Sequence, residues 1–410
     1  MTRENLRING QRLIDRLKAL GEVGALPGGG VCRLALTDDD RAGRDLVTGW
    51  MRNLGLSVTT DAIGNVFGLR AGTEDGPPVM TGSHIDTVRT GGLYDGNLGV
   101  LAGLEVVETL NDLGITTRRP LCVAFFTNEE GARFAPDMMG SLVYVGGMPL
   151  DEALAVEGID GTTVGDCLNA IDAAGPASVG APEVHAFVEL HIEQGPVLEE
   201  QGVTIGAVGM VQGISWTEFT ITGTSNHAGT TPMRLRHDAG YVAMATATFA
   251  RDLATRMGGH QVSTVGSFEL KPNLVNVVAN HARFTVDLRN TDEALLQQAE
   301  AEVMAVVTSL AAAEGVEVTH RSLARFAPVA FHPGMVAKVE ATAKGLGHSV
   351  MRMPSGAGHD AQMLARVCPT AMVFVPSVHG ISHNIHEHTA PADLEAGANV
   401  LLRVLVDLAE

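Results

Sequence analysis

Three apolar runs in this chain close on a histidine or on paired carboxylates, and that pattern limits the fold more than any other feature. They read "PPVMTGSHIDT", "RRPLCVAFFTNEEG" and "VHAFVELHIEQG". A short apolar run bounded by polar residues is a strand buried on both faces. Between such runs lie segments of helical spacing, "RAGRDLVTGWMRNLG" and "GNLGVLAGLEVVETLNDLG". Alternation of this kind predicts an α/β sheet covered by helices. In such sheets, functional groups gather past the carboxyl ends of the strands. His84, Glu129, Glu130 and His191 fall at those ends.

The pattern changes near Gly213. "GISWTEFTITGTSNHAGTTPM" and "NVVANHARFTVDLRN" read as strands, while "DAGYVAMATATFARDLATRMGG" and "DEALLQQAEAEVMAVVTSLAAAEG" read as long helices. That order suits a β-α-β-β-α-β unit, ferredoxin-like and able to form its own layer. From about Phe331 the first pattern returns, with the strand "PTAMVFVPS" and a final helix from about Ala392. The expectation is a discontinuous catalytic domain, residues 1–212 and 331–410, carrying an inserted domain of residues 213–330. A chain of 410 residues is too long for one compact core.

Charge and cysteine usage remove several classes of function. Lys and Arg number 28 against 47 Asp and Glu, a net charge of -19, which repels nucleic acid and anionic membrane. No apolar run reaches the roughly 18 residues of a membrane helix. The opening "MTRENLRINGQRLIDRLKAL" reads as an amphipathic helix, not a secretion signal. The four cysteines form no CxxC pair, so neither a disulfide framework nor a thiolate metal site is expected. A cytoplasmic enzyme is the simplest reading.

The segment "TGSHIDTVRTGGLYDGN" collects His84, Asp86 and Asp95 where a strand gives way to a helix. Residues two apart on a strand point the same way, which puts His84 and Asp86 on one side. A carboxylate in that position commonly takes the second ring N–H of a metal-bound imidazole. Asp95, in a glycine-flanked turn, could fold back and bridge two cations. The competing reading makes Asp95 a helix cap and His84 a satisfied core histidine. "TNEEG" weighs against it. Adjacent Glu129 and Glu130 repel unless a cation lies between them or one keeps a proton. With His191, and His383 from "GISHNIHEH", the chain offers an N/O donor set of the kind zinc, manganese, cobalt or nickel takes.

Together, "GGGVCRLALTDDDRAGRDLV", "GSHIDTVRTGGLYDGNLGVLAGLEV", "FTNEEGARF", "ELHIEQGPVLE", "GTSNHAGTTPMRLRHDA", "NVVANHARFTVDLRN", "SGAGHDA" and "GISHNIHEHT" span nearly the whole chain. In that order they resemble the hydantoinase/carbamoylase amidases. That family includes N-carbamoyl-L-amino acid amidohydrolases, allantoate amidohydrolases and β-ureidopropionases, within the dinuclear-metal aminoacylases and exopeptidases. The resemblance implies a mixed-sheet, metallopeptidase-like α/β catalytic domain and an inserted α+β domain that serves as dimerisation surface or lid. It implies two divalent metal ions per subunit, one held by His84 and His191, the other by Glu130 and His383, with Asp95 bridging. Glu129 becomes the general base, and Asp86 orients His84 or the neighbouring site. His227 reaches the oxyanion across a homodimer interface. Gln194, Asn276, Arg289 and His359 meet the substrate, Arg289 on its carboxylate.

The implied reaction is hydrolysis of an N-carbamoyl-L-amino acid to amino acid, ammonia and carbon dioxide. Allantoate, N-carbamoyl-β-alanine and ureidoglycolate-type substrates remain alternatives, with an aminoacylase or dipeptidase further off. A non-catalytic metal-binding descendant would lack the base or a ligand, and none is missing. One departure stands out: where the family often has S-H-x-P, this chain has Ser382, His383, Asn384 and Ile385. His379, His386 and His388 make that tail rich in histidine; they read as surface residues or as an additional metal site. Taken singly, Arg289 also reads as a salt-bridge residue, Asn276 as a strand end and His227 as a turn cap.

Overall fold

A computed structural model describes residues 6–410. Residues 1–5 of the expected N-terminal helix lie outside them. The helix spans Gly10–Gly21, its first turn closed by the Asn9 side chain, which accepts the Arg12 amide. In chain order the strands are β1 (Ser57–Thr60), β2 (Val66–Arg70), β3 (Val79–His84), β4 (Leu121–Phe126), β5 (Ala186–Ile192), β6 (Ile205–Val211) and β7 (Gly213–Thr222). There follow β8 (Val262–Thr264), β9 (Phe268–Lys271), β10 (His281–Asn290), β11 (Glu317–Phe326), β12 (Val329–Ala330), β13 (Val350–Ser355) and β14 (Thr370–Val375). Contacts divide the chain into two compact units, one of residues up to Gly209 with Ala330–Glu410, the other Met210–Val329.

Among the described residues, nine strands form the sheet of the first unit, in the order β1-β2-β4-β3-β5-β14-β6-β12, with β13 also on β6. The pairs β1–β2, β2–β4 and β14–β6 are antiparallel. The four inner strands β4, β3, β5 and β14 are parallel neighbours. Every residue of those four is buried, as expected of strands covered on both faces. Their carboxyl ends lie along one edge: His84 pairs in register with Phe126, and His191 with Phe374.

The helix Asn97–Asp112, which follows β3, is buried almost all round. Fully burying each of its leucines and valines stabilises the fold by about 1.5–3 kcal/mol. Its one buried acid, Glu105, is held by Arg12 at 2.7 Å and Arg16 at 3.3 Å from the first helix. The site-bearing edge therefore stands on fully buried strands and a helix buried almost all round.

In the second unit the sheet runs β11-β7-β10-β8, with β9 also on β10. The chain order is strand, helix, two short strands, strand, helix, strand, which is the ferredoxin-like arrangement. Along β10 the buried positions alternate, the mark of an antiparallel sheet with one covered face. The helices Ala239–Met257 and Glu293–Glu314 supply that cover, packing Val242, Leu253, Leu296 and Val303 against Phe219, Phe284 and Leu288. Among the described residues no helix is long and apolar enough to cross a membrane. All four cysteines are free thiols.

Candidate metal centre

Four parallel strand ends and the loops beyond them converge on Asp95. β3 supplies His84, the loop after β4 supplies Glu129 and Glu130, β5 supplies His191, and the loop beyond β14 supplies His383. Asp95 Oδ1 faces His84 Nε2 at 3.6 Å and His191 Nε2 at 3.2 Å. Its Oδ2 faces His383 Nε2 at 3.3 Å, and the same nitrogen lies 3.3 Å from Glu130 Oε2. His84, Asp95 and His191 thus form one group with the spacing of metal ligands; Asp95, Glu130 and His383 form another. The Asp95 side chain caps no helix: the helix begins at Asn97 with Gly96 as its N-cap, and no side-chain cap bond is made.

Both strand histidines are aimed by the backbone. His84 Nδ1 lies 2.9 Å from the Asp86 carbonyl, and His191 Nδ1 lies 2.9 Å from the Ile192 carbonyl. A carbonyl can only accept, so each ring spends Nδ1–H there and turns Nε2 toward Asp95. The electrostatics follow. Burial opposes charge on His84 and His191, yet the surrounding carboxylates raise both rings above their ordinary 6.5. Burial also works against ionised Asp95, but the three histidines hold it well below 3.8. Burial and Asp95 push Glu130 up to about 8. Crowded carboxylates and imidazoles under one low-dielectric cover are the conditions a cation relieves. Nitrogen and oxygen donors without thiolate suit zinc, manganese or related divalent ions.

A third grouping, Glu189, His191 and His359, also has metal-like spacing. It fits a cation less well. Glu189 already accepts Ser83 Oγ at 2.6 Å and the Ala361 amide at 2.8 Å, and His191 Nε2 faces Asp95.

Glu129 stands apart from both Asp95 groups, with Oε2 3.2 Å from His84 Nε2. Burial, with Asp360, Glu130 and Asp86 close by, raises it well above 4.5 despite His84. The expected pairing of His84 with the Asp86 carboxylate needs correction. β3 ends at His84, so the two-residue period does not carry to Asp86. Its carboxylate is 3.9 Å from the ring and instead accepts the amides of Glu129 and Glu130, each at 3.3 Å. Asp86 orients His84 through its main chain and the two glutamates through its side chain.

A matching family model places residues 80–407 in "Peptidase family M20/M25/M40". An N-carbamoyl-L-amino-acid amidohydrolase of Rhizobium meliloti is 42% identical over 99% of this chain and 98% of its own length. Another, from Geobacillus stearothermophilus, is 40% identical over 98% of this chain and 99% of its own. A crystal structure of a hydantoinase/carbamoylase family amidase from Burkholderia multivorans superimposes with a TM-score of 0.94 at 46% identity, covering 98% of each chain. The chain belongs to the hydantoinase/carbamoylase amidases of the M20/M25/M40 family.

Within this amidase the remaining expected residues fall in several places. Gln194, in left-handed backbone (φ 60°), donates from Nε2 to Asp95 Oδ2 at 2.9 Å, and its Oε1 is buried without a partner. His359 is buried and neutral. Desolvation, then His191, pull it well below 6.5, and its ring packs 4.5 Å from that of His191. In the second unit, His227 is exposed and accepts the Gly229 and Thr230 amides on Nδ1 at 3.0 and 3.2 Å. With Nδ1 accepting, Nε2 is the ring nitrogen left to donate. Asn276 lies in a loop before β10, where its carbonyl accepts the Ala228 amide at 2.9 Å. Arg289 meets Asp287 at 2.9 Å and lies 5.7 Å over the Trp216 ring. His379, His386 and His388 are exposed and join no three-ligand group among the described residues.

Sequence reasoning passed over Arg33. This fully buried guanidinium donates to the Ile85 carbonyl at 2.7 Å and to Asn97 Oδ1 at 2.9 Å, tying together the two segments that flank Asp86 and Asp95. It also passed over Glu189, whose two-residue spacing from His191 on one strand was a readable signal, and Asp360, fully buried beside it.

Gly96 shows how tightly the centre is built. It sits at φ 65°, ψ -48°, and a Cβ there would lie 2.4 Å from the His84 ring. Gly96→Ala is expected to strain the backbone by about 1–3 kcal/mol and to displace His84. Thermal unfolding with and without Zn²⁺ checks this: the variant should melt lower and lose most of the metal-induced increase.

Proposed function

We propose that this chain is a dinuclear-metal amidohydrolase that cleaves the carbamoyl C–N bond of an N-carbamoyl-L-amino acid. The observation that carries the reading is Asp95, whose two oxygens each serve a separate group of metal-type ligands. Identity of 40–42% to two N-carbamoyl-L-amino acid amidohydrolases supports the choice of substrate class.

His84 and His191 would hold one divalent ion, Glu130 and His383 the other, with Asp95 shared. Bound there, the pair supplies Lewis acidity, polarising the substrate carbonyl and making water easier to ionise. The rest falls to the protein. Glu129, buried and raised above its ordinary pKa, takes the proton of the attacking water and returns it to the departing nitrogen. Asp86 keeps Glu129 in place through its amide. Gln194 offers its unpartnered Oε1 to the substrate beside Asp95. Arg289 is assigned the substrate carboxylate, exchanging Asp287 for it in a two-point pairing, and Asn276 and His359 are assigned further substrate contacts. The inserted unit acts as dimerisation surface and lid, and the partner's His227 donates Nε2–H to the developing oxyanion. Water adds to the carbamoyl carbon and the C–N bond to the amino acid breaks. The carbamate released then gives ammonia and carbon dioxide. Four free thiols suit a cytoplasmic, reducing setting.

The test is ammonia release by metal-stripped protein, before and after adding Zn²⁺, Mn²⁺, Co²⁺ or Ni²⁺. Substrates are N-carbamoyl-L-methionine, N-carbamoyl-β-alanine and allantoate, with N-acetyl-L-methionine scored by free amine. Metal-dependent turnover of the carbamoyl-methionine is expected. Turnover of the acetyl compound alone would overturn the reading and make the chain an aminoacylase.

A further inference from the structure

The histidine-rich tail contains an acid that the proposed mechanism does not use. Glu387 lies between His386 and His388, yet unlike them it is buried, only 5% exposed. Its Oε1 accepts two successive main-chain amides, Tyr94 at 3.0 Å and Asp95 at 3.2 Å. Its Oε2 accepts the hydroxyl of Ser382 at 3.1 Å, and that hydroxyl also lies 3.2 Å from Asp95 Oδ2. Room for the carboxylate is provided by Gly92, where a Cβ would meet Glu387 Oε1 at 2.1 Å. The Tyr94 and His388 rings close the same contact edge to face, 6.0 Å apart.

These contacts join two loops that sequence leaves independent. One presents Asp95. The other presents His383, whose side chain is 51% exposed and whose backbone is left-handed at φ 53°. His84 and His191 come from strands and are aimed by main-chain carbonyls. His383 has no such support. The loop that carries His383 is fixed by the contacts of Glu387 and Ser382.

We propose that Glu387 is a positioning residue: its carboxylate clamps the 90–95 loop to the 382–388 loop and so fixes Asp95 and His383 relative to each other. What the clamp is for rests on the two-ion reading above; the contacts that form it do not. Two hydrogen bonds from successive main-chain N–H groups to one carboxyl oxygen tie the loops together. Glu387→Ala leaves those amides unpaired. Glu387→Gln keeps an acceptor for both amides and an N–H₂ that Ser382 Oγ can accept.

The experiment has two readouts on full-length wild type, E387A and E387Q. The first is amide hydrogen exchange of metal-stripped protein. E387A should speed exchange about tenfold or more in peptides covering 90–97 and 380–388 while leaving β3 and β5 protected, and E387Q should restore most of the protection. Unchanged exchange at 90–97 in E387A overturns the proposal, and so does equal acceleration across the whole unit. The second is calorimetric titration with Zn²⁺. Loss of a supporting partner of this kind weakens metal affinity about 10–100-fold; here the loss should fall on one of two binding events in E387A. A wild type that binds fewer than two ions overturns the two-ion reading, and the exchange result still decides the clamp.

Discussion

Glu129→Gln is expected to lower kcat on the carbamoyl substrate about 10²–10⁴-fold, the contribution of a well-placed general base. Metal content should stay at the wild-type level and KM should change little. The reasoning is geometric. Glu129 is buried in the loop after β4, 3.2 Å from His84 Nε2, yet it belongs to neither group that shares Asp95. Glutamine preserves its volume and its amide, which Asp86 holds, and removes only the capacity to take a proton. Single-turnover kinetics with metal analysis on the same sample separates the outcomes. A variant that loses a metal ion along with activity would make Glu129 a ligand instead of the base.

The second large effect is expected at Asp95. Asp95→Asn keeps one oxygen and replaces the other with an N–H₂ group, which cannot ligate. One group of three then loses a donor and gains a repelling hydrogen. The variant should hold at most one ion. Loss of metal-assisted charge stabilisation costs several kcal/mol, about 10³-fold or more in rate. Stability should follow. An ion bound at a hundred times its dissociation constant adds about 2.7 kcal/mol to the folded state, so Zn²⁺ should raise the wild-type melting temperature by more than that of Asp95→Asn. Two ions bound by the variant at wild-type affinity would contradict the bridging role.

Much of this centre is legible in the sequence because strand ends are legible. His84, Glu129, Glu130 and His191 each close an apolar run, and a buried parallel strand delivers its last residues to one edge of the sheet. His383 lies in a loop beyond β14 among three other histidines, and family resemblance singles it out from them. What sequence conceals is which polar atoms meet through the loops. Asp86 was expected to face His84 by strand alternation, but the strand stops at His84 and the carboxylate turns to two amides 43 and 44 residues along the chain. Glu387 reaches amides at a separation of 292 and 293 residues, and no local periodicity encodes such a contact. Arg33 lies in a run that reads as ordinary loop, and only its bonds to Leu20 and Val23, to Ile85 and to Asn97 explain a buried guanidinium. Arg289 shows the converse. "FTVDLRN" places Asp287 on the same side two residues earlier, and that pairing is present.

The central claim is that catalysis needs two ions on a shared aspartate. It is tested most directly by titrating metal-stripped protein with Zn²⁺ or Mn²⁺ and following ammonia release from N-carbamoyl-L-methionine at each addition. Turnover that rises to a break at two equivalents per chain is the predicted result. Full turnover before any metal is added, or a plateau at one equivalent, would contradict it.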